Sequence, residues 1–183
     1  MRCVQGLEHY FNNSRQPGQR ARCPYCRTSV HAPLPVEVRA TSGLPLEAIP
    51  VPARGSRCHF DRNYRFLHLG DFAKPQMLYL QSSNEDRKTP ATSVMWVIEA
   101  NRPVTVHVNY RSQRHVDVGR QTAWLTAKGF TPNGGLRSCC SSGVPNGPYS
   151  GPVFSQVFEA GATIELMGSN TWEGTYFVFV QCG

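Results

Sequence analysis

From Tyr64 onward the chain breaks again and again into short strand-like runs that stop at Gly, Pro, Asn or Ser, a rhythm that accommodates strands and turns but no long helix. The runs are Tyr64 to Leu69, Gln76 to Gln81, Ser93 to Glu99, Val104 to Tyr110, Thr122 to Leu125, Val153 to Phe158, Thr163 to Met167 and Tyr176 to Gln181. In Val104-Thr105-Val106-His107-Val108-Asn109-Tyr110 apolar and polar residues alternate strictly, as a strand with one buried face requires. Turn residues fill the gaps, at Asn101-Arg102-Pro103, Pro132-Asn133-Gly134-Gly135 and Ser141 to Pro152. With 16 Gly and 14 Pro in 183 residues, helix-breaking positions recur too often for helices to dominate. The expectation is a mainly β protein, an antiparallel β-sandwich of jelly-roll-like type, preceded by a short helix-containing segment.

That preceding segment has a different character. Residues 33–57 carry Pro33, Pro35, Pro45, Pro50 and Pro52 with little periodicity, which predicts a Pro-rich linker or a strand that wraps the next domain. The β module is therefore expected at 58–183 and a separate small segment at 1–32. In the latter, Val4, Leu7, Tyr10 and Phe11 recur at helical spacing before Asn12, Asn13, Pro17 and Gly18 end the pattern. The formal charge is +7, and residues 1–57 hold eight Arg against three acids, a net of +5. These arginines are scattered through loop-like sequence without interleaved aromatics, so nucleic acid is not the expected partner.

Seven cysteines, two of them adjacent at Cys139 and Cys140 and two in a CxxC pair, fit a reducing compartment with a metal site better than a disulfide framework. A CxxC knuckle brings two thiolates to one tetrahedral zinc. The order Cys3-Val4-Gln5-Gly6-Leu7, a short helix, a polar loop and Cys23-Pro24-Tyr25-Cys26-Arg27 resembles the C-terminal half of a RING-type zinc finger, the family of E3 ubiquitin ligases. The resemblance implies that Cys3, Cys23 and Cys26 are its sixth, seventh and eighth zinc ligands. It also implies that Val4, Leu7, Pro24 and Arg27 contact a ubiquitin-conjugating enzyme. The first five ligands have no counterpart after Met1, so the expectation is a truncated or decayed finger in which Cys3, Cys23, Cys26 and His31 hold at best one zinc.

From Cys58 the sequence is similar to a β-sandwich module of large multidomain proteins of bacteria and protists. The likeness runs through Asp61-Arg62-Asn63-Tyr64-Arg65-Phe66, Val104 to Arg111, Trp124-Leu125, Gly129-Phe130, Val153-Phe154, Gly161 to Leu166, Gly168 with Asn170, and Tyr176 to Val180. It implies a fold and a recognition role toward a protein or a glycan. Asp61, Asp71, Glu85, Asp86, Asp117, His107 and His115 show no spacing that assembles a catalytic triad or a metal-binding HxH, so no catalytic residue is assigned. An alternative to the ligase reading is a non-catalytic carbohydrate-binding module, with Trp172 and Trp124 as candidate sugar-stacking aromatics and Trp96 in the core. No run reaches the roughly 18 to 20 apolar residues of a membrane span, and the expected location is cytoplasmic or nuclear.

Overall fold

Eleven strands and two short α-helices are found among the described residues, which are 34–50, 52–141, 149–170 and 173–183 of the computed structural model. In chain order they are β1 (Val36–Ala40), β2 (Leu46–Pro50), β3 (Phe66–His68), β4 (Met77–Ser82), β5 (Val94–Ala100), β6 (Val104–Asn109), α1 (Gln113–Val118), α2 (Thr122–Ala127), β7 (Thr131–Pro132), β8 (Cys139–Cys140), β9 (Val153–Phe158), β10 (Thr163–Met167) and β11 (Phe177–Cys182). One sheet has the order β1-β5-β10 and a second the order β2-β4-β11-β6-β9-β7, while β3 and β8 form a two-stranded ribbon. Every strand pairing is antiparallel.

The alternation read in β6 has a fuller meaning in three dimensions. Val104, Val106 and Val108 join Leu78, Leu80, Val178 and Val180 in a core that also takes Val36, Trp96, Ile98, Ile164 and Leu166 from the three-stranded sheet. The opposite face of the six-stranded sheet is covered as well. Met77, Tyr79, Phe177 and Phe179 pack there against Cys58, Phe66, Leu69, Phe72 and Cys140. Phe72 stacks on Phe179 at 3.9 Å between centroids, and Phe66 meets Tyr79 edge-on at 4.9 Å. This explains why β4 and β11 read Met-Leu-Tyr-Leu and Phe-Val-Phe-Val, since a strand buried on both faces carries apolar residues at consecutive positions. Each such side chain contributes about 1.5–3 kcal/mol on burial, so these central strands anchor both layers.

The structure agrees with a mainly β, antiparallel two-sheet arrangement, with three and six strands in the two sheets. Two expectations change. The segment 33–57, read as a Pro-rich linker or a wrapping strand, supplies two strands, β1 and β2, which pair with β5 and β4 and so belong to both sheets. Its prolines misled because they sit at strand ends: Pro35 precedes β1 and Pro50 closes β2, where no ladder N–H is needed. The run Thr122 to Leu125 is helical, not extended. Its N–H groups are satisfied locally, as in Leu125 N–H to Gln121 C=O at 3.3 Å, and Gly129 ends the segment at φ +83°. The helix-containing zinc-finger segment expected at 1–32 lies outside the described residues.

Candidate functional site

At one end of the six-stranded sheet β4 and β6 run out and β11 begins, as the pairing of Phe177 with Asn109 fixes. The loops that leave these strands, together with His59 to Tyr64, assemble a polar cluster. Its floor is Arg111, only 3% exposed. Nε–H donates to Thr175 C=O at 3.1 Å, and Nη2 donates to His59 Nε2 at 2.7 Å and to Asn84 Oδ1 at 3.0 Å. The guanidinium also lies over the rings of Tyr64 (5.3 Å) and Phe177 (5.5 Å). Among the described residues no carboxylate forms an ion pair with it, so a buried cation is held by neutral acceptors and aromatic faces.

An arginine can only donate, so His59 Nε2 must be the unprotonated nitrogen, which leaves the ring proton on Nδ1 facing Ser82 Oγ at 3.4 Å. Burial, reinforced by the Arg111 charge, pushes His59 down to about 3. Gly174 completes the floor at φ +103°; a Cβ there would sit 2.6 Å from Asn84 Oδ1 and 2.8 Å from Arg111 Nη2.

Above this floor lies a chain of alternating charges. Arg62 bridges Asp61, at 3.1 Å, and Glu85, which also pairs with Lys88 at 2.6 Å. Burial alone would raise the Asp61 carboxyl, but the Asn84 N–H, the Ser83 hydroxyl and Arg62 together hold it below its ordinary value. Hydrogen bonds from Lys88 and Arg62 do the same for Glu85. On the far side Ser112 Oγ–H donates to Glu173 at 2.6 Å. The result is a partly exposed set of planar, fixed hydrogen-bonding groups beside the ring of Tyr64.

The sequence-derived candidates fall differently. Trp124 is interior: it is 7% exposed, its indole N–H donates to Gln121 at 2.9 Å, and its ring packs on Phe130 and Tyr176, so neither face is open to a sugar. Trp96 is fully buried, as expected, and donates to Asp86 at 2.8 Å. Trp172 lies outside the described residues, as do Cys3, Val4, Leu7, Cys23, Pro24, Cys26, Arg27 and His31. His107 faces Ser155 at 2.7 Å and Phe72, not a ligand site. Asp61 and Glu85, whose spacing in the sequence assembles no catalytic or metal site, meet at Arg62. Nothing in the sequence marks Arg111, because a buried arginine carries no local pattern. A separate hollow of about 140 Å³ is lined by Lys128, Phe130, Phe158, Thr163, Ile164 and Glu165, with Lys128 and Glu165 paired at 3.0 Å.

No family model and no curated protein matches this chain. Among solved structures it is similar to a β-glucuronidase from glycoside hydrolase family 2, with a TM-score of 0.57 and 15% identity over 79% of this chain. The chain spans 14% of the length of that enzyme. A second similar structure is a glycoside hydrolase family 138 enzyme targeting pectin rhamnogalacturonan II, with a TM-score of 0.48 and 13% identity over 78% of this chain and 16% of that one. The RING reading is corrected by the fold, which is similar to part of a glycoside hydrolase; among the described residues, which do not include Cys3, Cys23, Cys26 and His31, no group of three or more His, Cys, Asp or Glu is placed to hold a metal. A short CxxC stretch is a common local pattern, and the fold that follows it is of another kind. No helix among the described residues is long and apolar enough to cross a membrane.

Proposed function

We propose that the β-sandwich is a non-catalytic carbohydrate-recognition module of a larger carbohydrate-active protein, with its binding surface at the loop end of the six-stranded sheet. The observation that carries this reading is the Asp61–Arg62–Glu85 chain of fixed, planar charged groups set beside Tyr64 over the Arg111 floor. Sugars are recognised by such groups, because a carboxylate or guanidinium can bind two adjacent hydroxyls while an aromatic edge or face covers the C–H surface. The fold likeness to part of a β-glucuronidase supports the same substrate class.

The ion pairs favour binding over hydrolysis. A glycosidase needs one carboxylic acid kept protonated to donate to the leaving oxygen. The two acids that meet at this surface are both held ionised, Asp61 by hydrogen bonds and Glu85 by Lys88 and Arg62. Trp172, which precedes Glu173 in the sequence, is the aromatic proposed to stack on a sugar.

A glycan array followed by calorimetry on the best hit tests the reading. The protein should bind at least one oligosaccharide class without cleaving it, and Arg62→Ala should weaken that binding about tenfold or more while the thermal transition is retained. Absence of binding to every glycan, or an unaltered affinity in Arg62→Ala, would overturn the assignment.

A further inference from the structure

We propose that the outer face of the hairpin 57–65 binds a carboxylate-bearing polysaccharide, which extends the candidate site from a sugar-binding tip into a track for an acidic glycan chain. The proposal rests on the carbohydrate reading of that tip. Arg57 and Arg65 are cross-strand partners in an antiparallel bridge. The bridge is bracketed by Phe66 N–H to Ser56 C=O at 3.0 Å and by Cys58 N–H to Tyr64 C=O at 2.9 Å, so the two arginines form the non-hydrogen-bonded kind of pair. In such a pair the Cα atoms stand about 4.5 Å apart and the side chains are at their closest. Successive side chains of a strand alternate, and Cys58 and Phe66 are fully buried, so their neighbours Arg57 and Arg65 point outward together; both are exposed.

Like charges directly opposite destabilise a sheet. Among the described residues neither guanidinium has a carboxylate within ion-pair distance to relieve the repulsion. Glu47 faces Gln81, whose amide donates to Arg57 C=O, yet it pairs with neither arginine. Arg65 Nη1–H donates to Gly55 C=O at 2.6 Å, which directs that side chain, and Arg54 adds a further exposed cation in the adjoining turn. The tip of the same hairpin is balanced instead, with Asp61 and Glu85 paired to Arg62 and Lys88. An uncompensated positive face therefore adjoins a neutralised hydrogen-bonding one. Arg62 and Arg65 are three residues apart in the sequence, so at roughly 3.3 Å per residue their Cα atoms lie within roughly 10 Å, a span that an oligosaccharide covers and a monosaccharide does not. A carboxylate is the anion that fits, because a planar guanidinium offers two parallel N–H donors to its two oxygens.

The test is calorimetry of the full chain with polygalacturonate and with its fully methyl-esterified form, which keeps the backbone and removes the charge. Polygalacturonate should bind about tenfold or more tightly, with an affinity that falls as salt is added. Arg57→Gln combined with Arg65→Gln should erase that preference and leave Tm unchanged or raised, since a repulsive pair is removed. Arg39→Gln combined with Arg102→Gln takes the same charge from β1 and from the turn before β6, and should leave the preference intact. Equal binding of the two polymers, loss of the preference in the Arg39 and Arg102 variant, or tighter binding of duplex DNA, polyglutamate or dextran sulfate than of polygalacturonate would overturn the proposal. Equal binding that still weakens in Arg62→Ala sinks the acidic-chain proposal alone and leaves the carbohydrate reading standing, whereas no binding of any glycan removes both.

Discussion

Acidification should unfold this sandwich through two histidines that have no room for a second proton. His59 and His115 are both fully buried, and burial, with the Arg111 charge adding to it, pushes them to about 3 and about 4. In the unfolded chain each returns to an ordinary value near 6.5. The folded values are depressed, so the unfolded state binds the extra protons, and stability falls as the pH drops below about 6.5 until the folded values are reached. At pH 5 each histidine costs about 2 kcal/mol, from about 1.4 kcal/mol per pH unit over 1.5 units, and the pair costs about 4 kcal/mol. His107, also lowered by burial, adds in the same direction. Asp61 and Glu85 are held low, so their contribution is present at pH 5 and fades only at more acidic pH. Urea titrations read by tryptophan fluorescence at pH 7, 6 and 5 would show the midpoint falling steeply. His115→Asn, which keeps a donor toward Ser169, should remove about half of the dependence. A midpoint that stays level between pH 7 and pH 5 would refute the argument that both rings are buried neutral.

Three further outcomes follow from the packing. Removing residues 1–32 should leave a cooperative thermal transition, whereas removing 1–56 deletes β1 and β2 and should abolish it, as differential scanning calorimetry would record. Gly174→Ala should destabilise by about 3 kcal/mol, because it combines a positive φ with a Cβ pressed against Asn84 and Arg111, and chemical denaturation measures it. Trp96→Phe should cost about 2–3 kcal/mol by the same assay, since it takes a donor from the buried Asp86 carboxylate and leaves space in the main core.

The strands legible in the sequence were those whose period is set by burial. β6, β9, β10 and β11 lie within a residue or two of the runs read there, because alternation or continuous apolarity is a direct imprint of one or two covered faces. β1 and β2 were hidden by a different cause. Both are short, half-exposed strands at sheet edges, where Val-Glu-Val-Arg-Ala and Leu-Glu-Ala-Ile-Pro give weak alternation and the flanking prolines are permitted. Thr122 to Leu125 reads as extended because threonine and tryptophan favour strands on average, a preference that local hydrogen bonding and the packing of Trp124 override.

The candidate site was illegible because its members are scattered along the chain. Its members come from four loops, around residues 59–62, 84–85, 111–112 and 173–175, and are joined only by the strand ends that bring those loops together. A catalytic or metal centre announces itself by residue types that are scarce and chemically committed, and a sequence search rewards it. The recognition surface proposed for this chain needs only orientation. Here orientation comes from Arg111, whose donors fix Asn84, His59 and the Thr175 carbonyl, and through Asn84's backbone N–H, at 2.8 Å from Asp61, the outer charged chain as well. Replacing Arg111 by Lys would keep the charge yet supply a single point of donation where three acceptors at different angles need a planar fork. The positioning that makes the outer groups rigid is thus invisible to any reading that proceeds one segment at a time.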